Sequence, residues 1–434
     1  MTLAETLADF ATGPVDADTR MRRFVGFSLA DWATVGLAGQ DEPVARAARG
    51  MALDEGAGQG ATLIGGGQAA PRAAALANGA TSHALDYDDT HFLHIGHPSV
   101  AVIPAALAIA ETRGARGDQF LDALAVGLET ACRVGAWLGR SHYEAGFHQT
   151  GTSGAFGAAA AAGRLLGLDR AAMAQALSLT ATRAAGLKSQ FGTMGKPLNA
   201  GFAAEVGVTT ALLAQAGADS APLAIEGAQG FGPTHAGSAL ANAFDGLGAT
   251  WVFPDISYKF HACCHGLHAM LEAVDSLMPL DPAAITRVQI RTQPRWLAVC
   301  NQPEPETGLQ AKFSYRLTAA MRLAGVDTAA LDAYSADTAT RPDLVALRDR
   351  VEVIGDGTLN DTQAVVTVDL GGDSLTAQHD LAGQLEPDLI ETRLRAKSAT
   401  LLGPGPAVAL WRVTGDLARA RDLAAFSALI GRPA

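Results

Sequence analysis

The sequence predicts a mostly α protein, in which a large all-helical domain is interrupted by an inserted α+β domain. Three observations carry that expectation. A helical period runs from Leu3 to about Gly248, and strand-length runs separated by glycine turns begin only beyond Trp251. Helical spacing then returns from about Pro387. The expected division is therefore 1–258 as the all-α domain, completed by 386–434, with 259–385 as the α+β insertion.

Each element has a local reason. Over 118–138, Phe120, Leu121, Leu124, Leu128, Ala131 and Leu138 recur at spacings of three, four and seven, with Asp118 placed to cap the start. The stretch 152–168 is so rich in glycine and alanine that close helix–helix packing is its natural use. Pro197 suits a first helical position, where its missing N–H costs nothing. That puts Lys196 at the mouth of a helix running to about Ala216. Strands are expected at 285–292, 351–354, 363–370 and 374–379, the last two joined as a hairpin by Gly371-Gly372-Asp373. Helices at 265–278 and 313–323 lie among them, and a last helix covers 417–430.

Composition narrows the function. The 434 residues carry a formal charge of −12, which argues against a nucleic-acid partner because phosphate binding needs a basic surface. The most apolar tract, 154–163, meets Arg164 well short of the ~20 residues that span a bilayer. The start, Met1-Thr2-Leu3-Ala4-Glu5, lacks the basic and apolar regions of a secretory signal. A soluble, cytoplasmic protein without a membrane partner is expected. Cys132, Cys263, Cys264 and Cys300 show no CxxC spacing and read as small, reduced, buried thiols.

Four polar clusters could carry chemistry. The first, Asp86-Tyr87-Asp88-Asp89-Thr90-His91 running on to His97-Pro98-Ser99, crowds carboxylates, hydroxyls and imidazoles ahead of a helix. It is either an acid–base site or an acidic turn in which Asp88 or Asp89 caps that helix. His91, His94 and His97 recur every three residues, a poor metal spacing in a stretch holding Gly96 and Pro98. The second, Gly146-Phe147-His148, precedes a Gly/Ala helix; His148 is either a core histidine or a reactive one. In the third, Lys188 to Pro197, a lysine at a helix entrance is disfavoured unless an anion is near, a placement suited to gripping a carboxylate. Pro197 after Lys196 rules out a nucleotide P-loop. The fourth places His261, His265 and His268 beside Cys263-Cys264, a better metal spacing but without an adjacent carboxylate. No metal is expected at either set, though a metal-dependent enzyme and a non-catalytic helical scaffold stay open as competing readings.

Taken in order, Ala84 to Thr90, His97-Pro98-Ser99, Gly146-Phe147-His148, Gly195-Lys196-Pro197, and Cys263-Cys264 followed by His268 resemble the MmgE/PrpD family over nearly the whole chain. The resemblance implies a large helical domain with an α+β lid, a homodimer, and no required metal or organic cofactor. It also implies a small di- or tricarboxylate substrate. Active-site positions carried over residue by residue fall on Asp86, Thr90, His97, His148 and Lys196, and His268 matches a histidine at the lid boundary. Lys196 would hold a substrate carboxylate, and His97 and His148 would form the proton-transfer pair. Asp86 would orient or charge a histidine, while Thr90 would bond substrate or that Asp. The implied reaction is that of a cofactor-independent lyase of the 2-methylcitrate dehydratase kind. An epimerase of an imino- or amino-dicarboxylate is a close alternative, and a cis-aconitate decarboxylase another. Some relatives carry a lid tyrosine three residues beyond the serine matching Ser314. Here that position is Leu317, with Tyr315 nearby, which counts against decarboxylation.

Overall fold

A computed structural model describes residues 1–56, 60–383 and 385–432. The chain divides into two compact units, one formed by Met1–Tyr258 with Leu402–Ala434 and the other by Lys259–Leu401. The mostly α class holds. Among the described residues, no helix is long and apolar enough to cross a membrane.

In the first unit, α1 (Leu3–Thr12) begins in a capping box between Thr2 and Glu5, and α2 (Thr19–Ala38) on the Asp18 side chain. Helices α3 (Pro43–Asp54) and α4 (Pro71–Ser82) both start on proline. Then follow α5 (Ser99–Arg113), α6 (Gly117–Glu144), α7 (Gln149–Leu165), α8 (Arg170–Arg183) and α9 (Gly195–Gln215). The Gly/Ala helix α7 lies at the centre, against α5, α6, α8 and α9. Its residues 149–163 are all buried. Small side chains are what let these axes approach.

One close crossing is α4 on α9. A methyl group on Gly79 would sit 2.8 Å from the Gly201 Cα, and one on Gly201 would strike the Leu76 carbonyl. Backbone cannot rotate away as a side chain can. Gly201→Ala is therefore expected to cost about 1–3 kcal/mol, the range for overpacking a filled core. Denaturant unfolding of that variant checks this, and an unchanged midpoint would contradict the close approach.

Several sequence expectations need correction. Asp118 does not cap α6; the helix starts at Gly117 with Arg116 at the cap position, and Asp118 pairs with the Arg116 guanidinium at 2.8 Å. The helical period does not continue to Gly248. Beyond α9 the chain runs in turns and short helical segments such as Phe231–Thr234 and Ala241–Phe244. Gly217, Gly246 and Gly248 adopt positive φ there, outside the right-handed helical region. A small hairpin of β1 (Ala61–Thr62) and β2 (Gln68–Ala69) was not anticipated. Near the C-terminus, the helix expected over 417–430 is split into Leu417–Arg419 and Ala424–Ile430. Ala420 turns aside there to accept a hydrogen bond from the Gly117 N–H.

The second unit is built on a four-stranded sheet in the order β4 (Val351–Gly355), β3 (Arg287–Thr292), β5 (Gln363–Asp369), β6 (Ser374–Asp380). β3 pairs parallel to β4 and antiparallel to β5, and β5–β6 is the expected hairpin. Val288 and Ile290 alternate inward on β3, with no exposure, as a half-buried strand requires. The helix His268–Asp275 packs on β5 and β6. The helix Pro387–Leu402, placed by sequence in the helical part, lies almost wholly in this unit. Arg393 from it makes a bidentate pair with Glu272.

Candidate active site

The loop between α4 and α5 gathers most of the polar cluster. His83 occupies the C-cap of α4, and its Nδ1 lies 2.8 Å from Asp88 Oδ1. His97, just ahead of α5, places its Nδ1 2.8 Å from Asp88 Oδ2. One buried carboxylate thus bridges two imidazoles whose rings are 4.5 Å apart. A nitrogen lone pair cannot face a carboxylate oxygen at that distance without a proton between them, so both imidazoles carry hydrogen on Nδ1. Burial alone pushes the Asp88 carboxyl up, but His83 and His97 together hold it well below the usual range. It is therefore an anion, hydrogen-bonded to the His83 ring and in close ion-pair contact with that of His97.

Asp86 sits at φ +50°, in the left-handed region that asparagine and aspartate tolerate better than other non-glycine residues. Strain of this kind often marks a site where direction matters. The turn aims Asp86 at the remaining two groups. Its Oδ1 is 3.6 Å from His97 Nε2, and its Oδ2 is 2.5 Å from Lys196 Nζ. Lys196, in the first turn of α9, therefore finds its anion in the protein itself. The other lysine of that segment is structural: Lys188 Nζ donates to the Tyr143 carbonyl at 2.9 Å and lies over the Tyr143 ring.

His148 precedes α7, buried, with its ring 6.4 Å from that of His97 and 6.1 Å from that of His83. Its backbone N–H is held by the Gly186 carbonyl. Burial first, and then the Lys196 charge, push the His148 imidazole well below its ordinary value, so it stays neutral. The loop that carries His97 is anchored to the same helix, because the His97 N–H donates to Thr150 Oγ1 at 3.0 Å. Thus Asp86, His97, His148 and Lys196, spread over 111 positions of sequence, stand in one constellation within the first unit.

Asp89 faces the opposite way from Asp88. Its Oδ2 accepts from Ser28 Oγ on α2 at 2.9 Å and from Ser99 Oγ on α5 at 2.5 Å. Burial raises its carboxyl from 3.8 to about 7, against the Ser99 hydrogen bond. The folded state therefore keeps a proton that the unfolded chain releases above about pH 4, so this group lowers stability as pH rises from about 4 to about 7. Asp89→Asn should remove that slope, gaining up to about 4 kcal/mol over the native chain by pH 7, at about 1.4 kcal/mol per unit. Denaturant midpoints of both proteins from pH 4.5 to 8 check this; parallel curves would contradict it.

The other sequence candidates fall as follows. Thr90 forms a β-bridge with Ser257, and its hydroxyl lies 3.5 Å from the Ser257 carbonyl. His91 and His94 do not join His97. His91 bonds the Val252 carbonyl, and His94 contacts Ser153 Oγ, with burial lowering the His94 imidazole to about 3. In the second unit, His268 is buried with Nε2 3.4 Å from the Cys263 carbonyl, its ring 5.0 Å from His265 and 5.2 Å from His261. A carboxylate does stand near this trio, contrary to the sequence reading: Glu272 is 3.4 Å from His261 Nε2. Tyr315 is committed to Thr292 and the Gly266 carbonyl. Cys132, Cys263 and Cys300 are buried, and Cys264 is half-buried.

Sequence reasoning missed His83 and Asn199, and it gave Asp88 no role of its own beyond a helix cap or a metal ligand. His83 lies five residues before Asp88 in a helix-ending stretch and offered no periodic signal. The set His83, Asp86, Asp88 and His97 brings four ligand-type atoms within 4.8 Å of one another, a spacing a divalent cation could bridge. In the structure these atoms engage one another and Lys196.

Comparison with known proteins gives the family. The profile of the MmgE/PrpD N-terminal domain matches residues 2–242, and that of the MmgE/PrpD C-terminal domain matches 261–412. Cis-aconitate decarboxylase of Aspergillus terreus is 33% identical over 245 residues, covering 52% of this chain and 50% of that protein. The cis-aconitate decarboxylase-like protein oryM of Aspergillus oryzae is 34% identical over 227 residues, covering 48% and 46%. Human cis-aconitate decarboxylase is 28% identical over 301 residues, covering 65% and 61%. The chain spans about half the length of the Aspergillus relatives it matches. With both halves of the family pattern matched in order, and the loop–helix cluster lying inside the first of them, the chain belongs to the MmgE/PrpD family.

Proposed function

We propose that this protein is a lyase acting on a small di- or tricarboxylate, using its own side chains to move a proton or stabilise a carbanion beside a carboxylate. One observation carries the reading: Lys196, Asp86, His97 and His148 stand together although they come from three separate segments. An ammonium has three donors, so Lys196 can keep Asp86 and still hold a substrate carboxylate. A proton beside a carboxylate is weakly acidic. Its removal needs a placed base and fixed positive or donor groups for the charge that develops, and the cluster supplies both. Thr90 and His268 belong to the same reading as substrate contacts, and a homodimer as the assembly the family resemblance implies.

Three reactions use these parts. Dehydration of the 2-methylcitrate kind and epimerisation of an imino- or amino-dicarboxylate both begin by taking a proton from carbon. Decarboxylation forms the carbanion by loss of carbon dioxide and then protonates it. The names of the matched relatives favour decarboxylation of cis-aconitate as the first reaction to assay; Leu317 favours dehydration. Proton NMR on 2-methylcitrate, cis-aconitate and iminodisuccinate in deuterated buffer separates them. Loss of water, loss of carbon dioxide, or deuterium uptake without net product identifies each in turn. Turnover of none of them would refute the proposal, and activity lost in chelator would favour a cation at the four-residue cluster.

A further inference from the structure

The two imidazoles at the site are held by different partners, and those partners decide which ring nitrogen carries hydrogen. We propose that Asp88 and Asn199 divide the labour, Asp88 making His97 the proton carrier and Asn199 making His148 a neutral hydrogen-bond donor. This rests on the lyase reading above and names roles that the sequence left shared between the two histidines.

His97 Nδ1 lies 2.8 Å from Asp88 Oδ2, a close contact that favours hydrogen on Nδ1 and leaves Nε2 as the nitrogen that can take a proton. Once it does, the imidazolium lies between Asp88 at 2.8 Å and Asp86 at 3.6 Å, two carboxylates that stabilise it. His148 is arranged the other way. The Asn199 amide nitrogen is 3.1 Å from His148 Nδ1, and the same nitrogen is 3.4 Å from the Leu187 carbonyl. The carbonyl fixes which end of the amide faces the ring, because an amide oxygen there would oppose a carbonyl oxygen. The Asn199 N–H therefore donates, His148 Nδ1 accepts, and the hydrogen of the neutral ring is on Nε2. Among the described residues no carboxylate is in direct contact with His148; Asp86 favours its charge from a distance, but burial, Lys196 and the neighbouring imidazoles outweigh it.

The chemistry follows with atoms balanced. When a proton is removed from carbon, the C–H bond breaks and an N–H bond forms at His97 Nε2. The electron pair moves onto the adjacent carboxylate oxygens, which accept hydrogen bonds from Lys196 and His148 Nε2–H; in a dehydration it then forms the C=C bond as the C–O bond breaks, and the hydroxyl leaves as water with the proton from His97 Nε2. In a decarboxylation the C–C pair stays on carbon, and a protonated His97 returns a proton to it. His148 keeps its proton in both cases. A neutral imidazole used as an electrophile suits a site where an imidazolium would hand its proton away. Asp88 and Asn199 touch the imidazoles and are positioning residues.

The test reads tautomers directly. Full-length protein labelled with nitrogen-15 in histidine gives long-range proton–nitrogen correlations that distinguish the two neutral forms and the imidazolium. Signals are assigned by their loss in His97→Ala and His148→Ala. Near pH 7, His148 should be neutral with hydrogen on Nε2, and His97 should keep hydrogen on Nδ1. Asn199→Asp presents an acceptor instead of a donor and should move the His148 hydrogen to Nδ1, with kcat falling about 10²-fold and KM changing far less. Hydrogen on His148 Nδ1 in the native chain, or a charged His148, would overturn the proposal. So would an Asn199→Asp spectrum identical to native. Should that variant not fold, the native spectrum alone decides. No substrate is present during the measurement, so failure of every polycarboxylate assay would refute the lyase reading and leave this result standing.

Discussion

Replacing His148 with alanine is expected to lower kcat about 10²–10³-fold on whichever carboxylate proves to be the substrate, while the protein still folds. That range is what loss of one fixed donor at a developing negative charge costs in other enzymes. The fold should survive because, among the described residues, the His148 side chain makes one hydrogen bond, to Asn199, and its backbone is held independently through Gly186. Removing a buried ring still leaves a cavity, so a loss of a few kcal/mol is expected. Single-turnover kinetics combined with circular dichroism separate the two effects. A variant that folds and retains near-native turnover would remove His148 from the site.

Asp88→Asn should be the most damaging single change to stability in this loop. The carboxylate accepts from His83 on one oxygen and stands 2.8 Å from His97 Nδ1 with the other, all three side chains being buried. An amide turns one acceptor into a donor facing an N–H, which leaves one imidazole unsatisfied or forces its tautomer to change. Breaking a buried charged pair typically costs about 3–5 kcal/mol, and that is the expected loss at pH 7. The pH dependence has a definite sign. Because the folded Asp88 carboxyl is held well below its unfolded value of about 3.9, its contribution is complete above that value. It fades as pH falls through the folded value. The gap between native and Asp88→Asn proteins should therefore be as wide at pH 5 as at pH 7 and begin to narrow only below about pH 4. Denaturant titrations at pH 7, 5 and 3 measure it; a constant gap would show that the charge of Asp88 is not what the imidazoles need. Turnover should fall as well, since His97 loses the group that aims its Nε2.

Local patterns settled much of this protein before any contact was known. Apolar spacing gave the helices around Phe120 and Leu124, and the β-branched runs with Gly371-Gly372 between them gave the β5–β6 hairpin. Both are nearest-neighbour properties, written within a few residues. Asp86, His97, His148 and Lys196 were legible as polar residues out of keeping with an Ala/Gly-rich frame and through family resemblance. Where they would meet was not. That depended on α4 and α9 approaching through Gly79 and Gly201, and on α9 meeting α7 at Gly207, which brings positions more than a hundred residues apart within reach of one another.

Tertiary structure alone decided the partners. His91 and His94 looked equivalent to His97 in sequence, yet only His97 reaches Asp88, because the loop turns at Asp86 and Ile95, both at positive φ. His83 and Asn199 carried no signal, since a histidine ending one helix and an asparagine inside another are unremarkable until folding sets them against Asp88 and His148. Sequence by itself therefore determined the helical class, the sheet-bearing insertion and the kinds of side chain available for chemistry. The three-dimensional arrangement decided which nitrogen meets which oxygen. The physical reason is range: periodicity and turn chemistry act along the chain, whereas hydrogen bonds and charge act through space over a few ångströms.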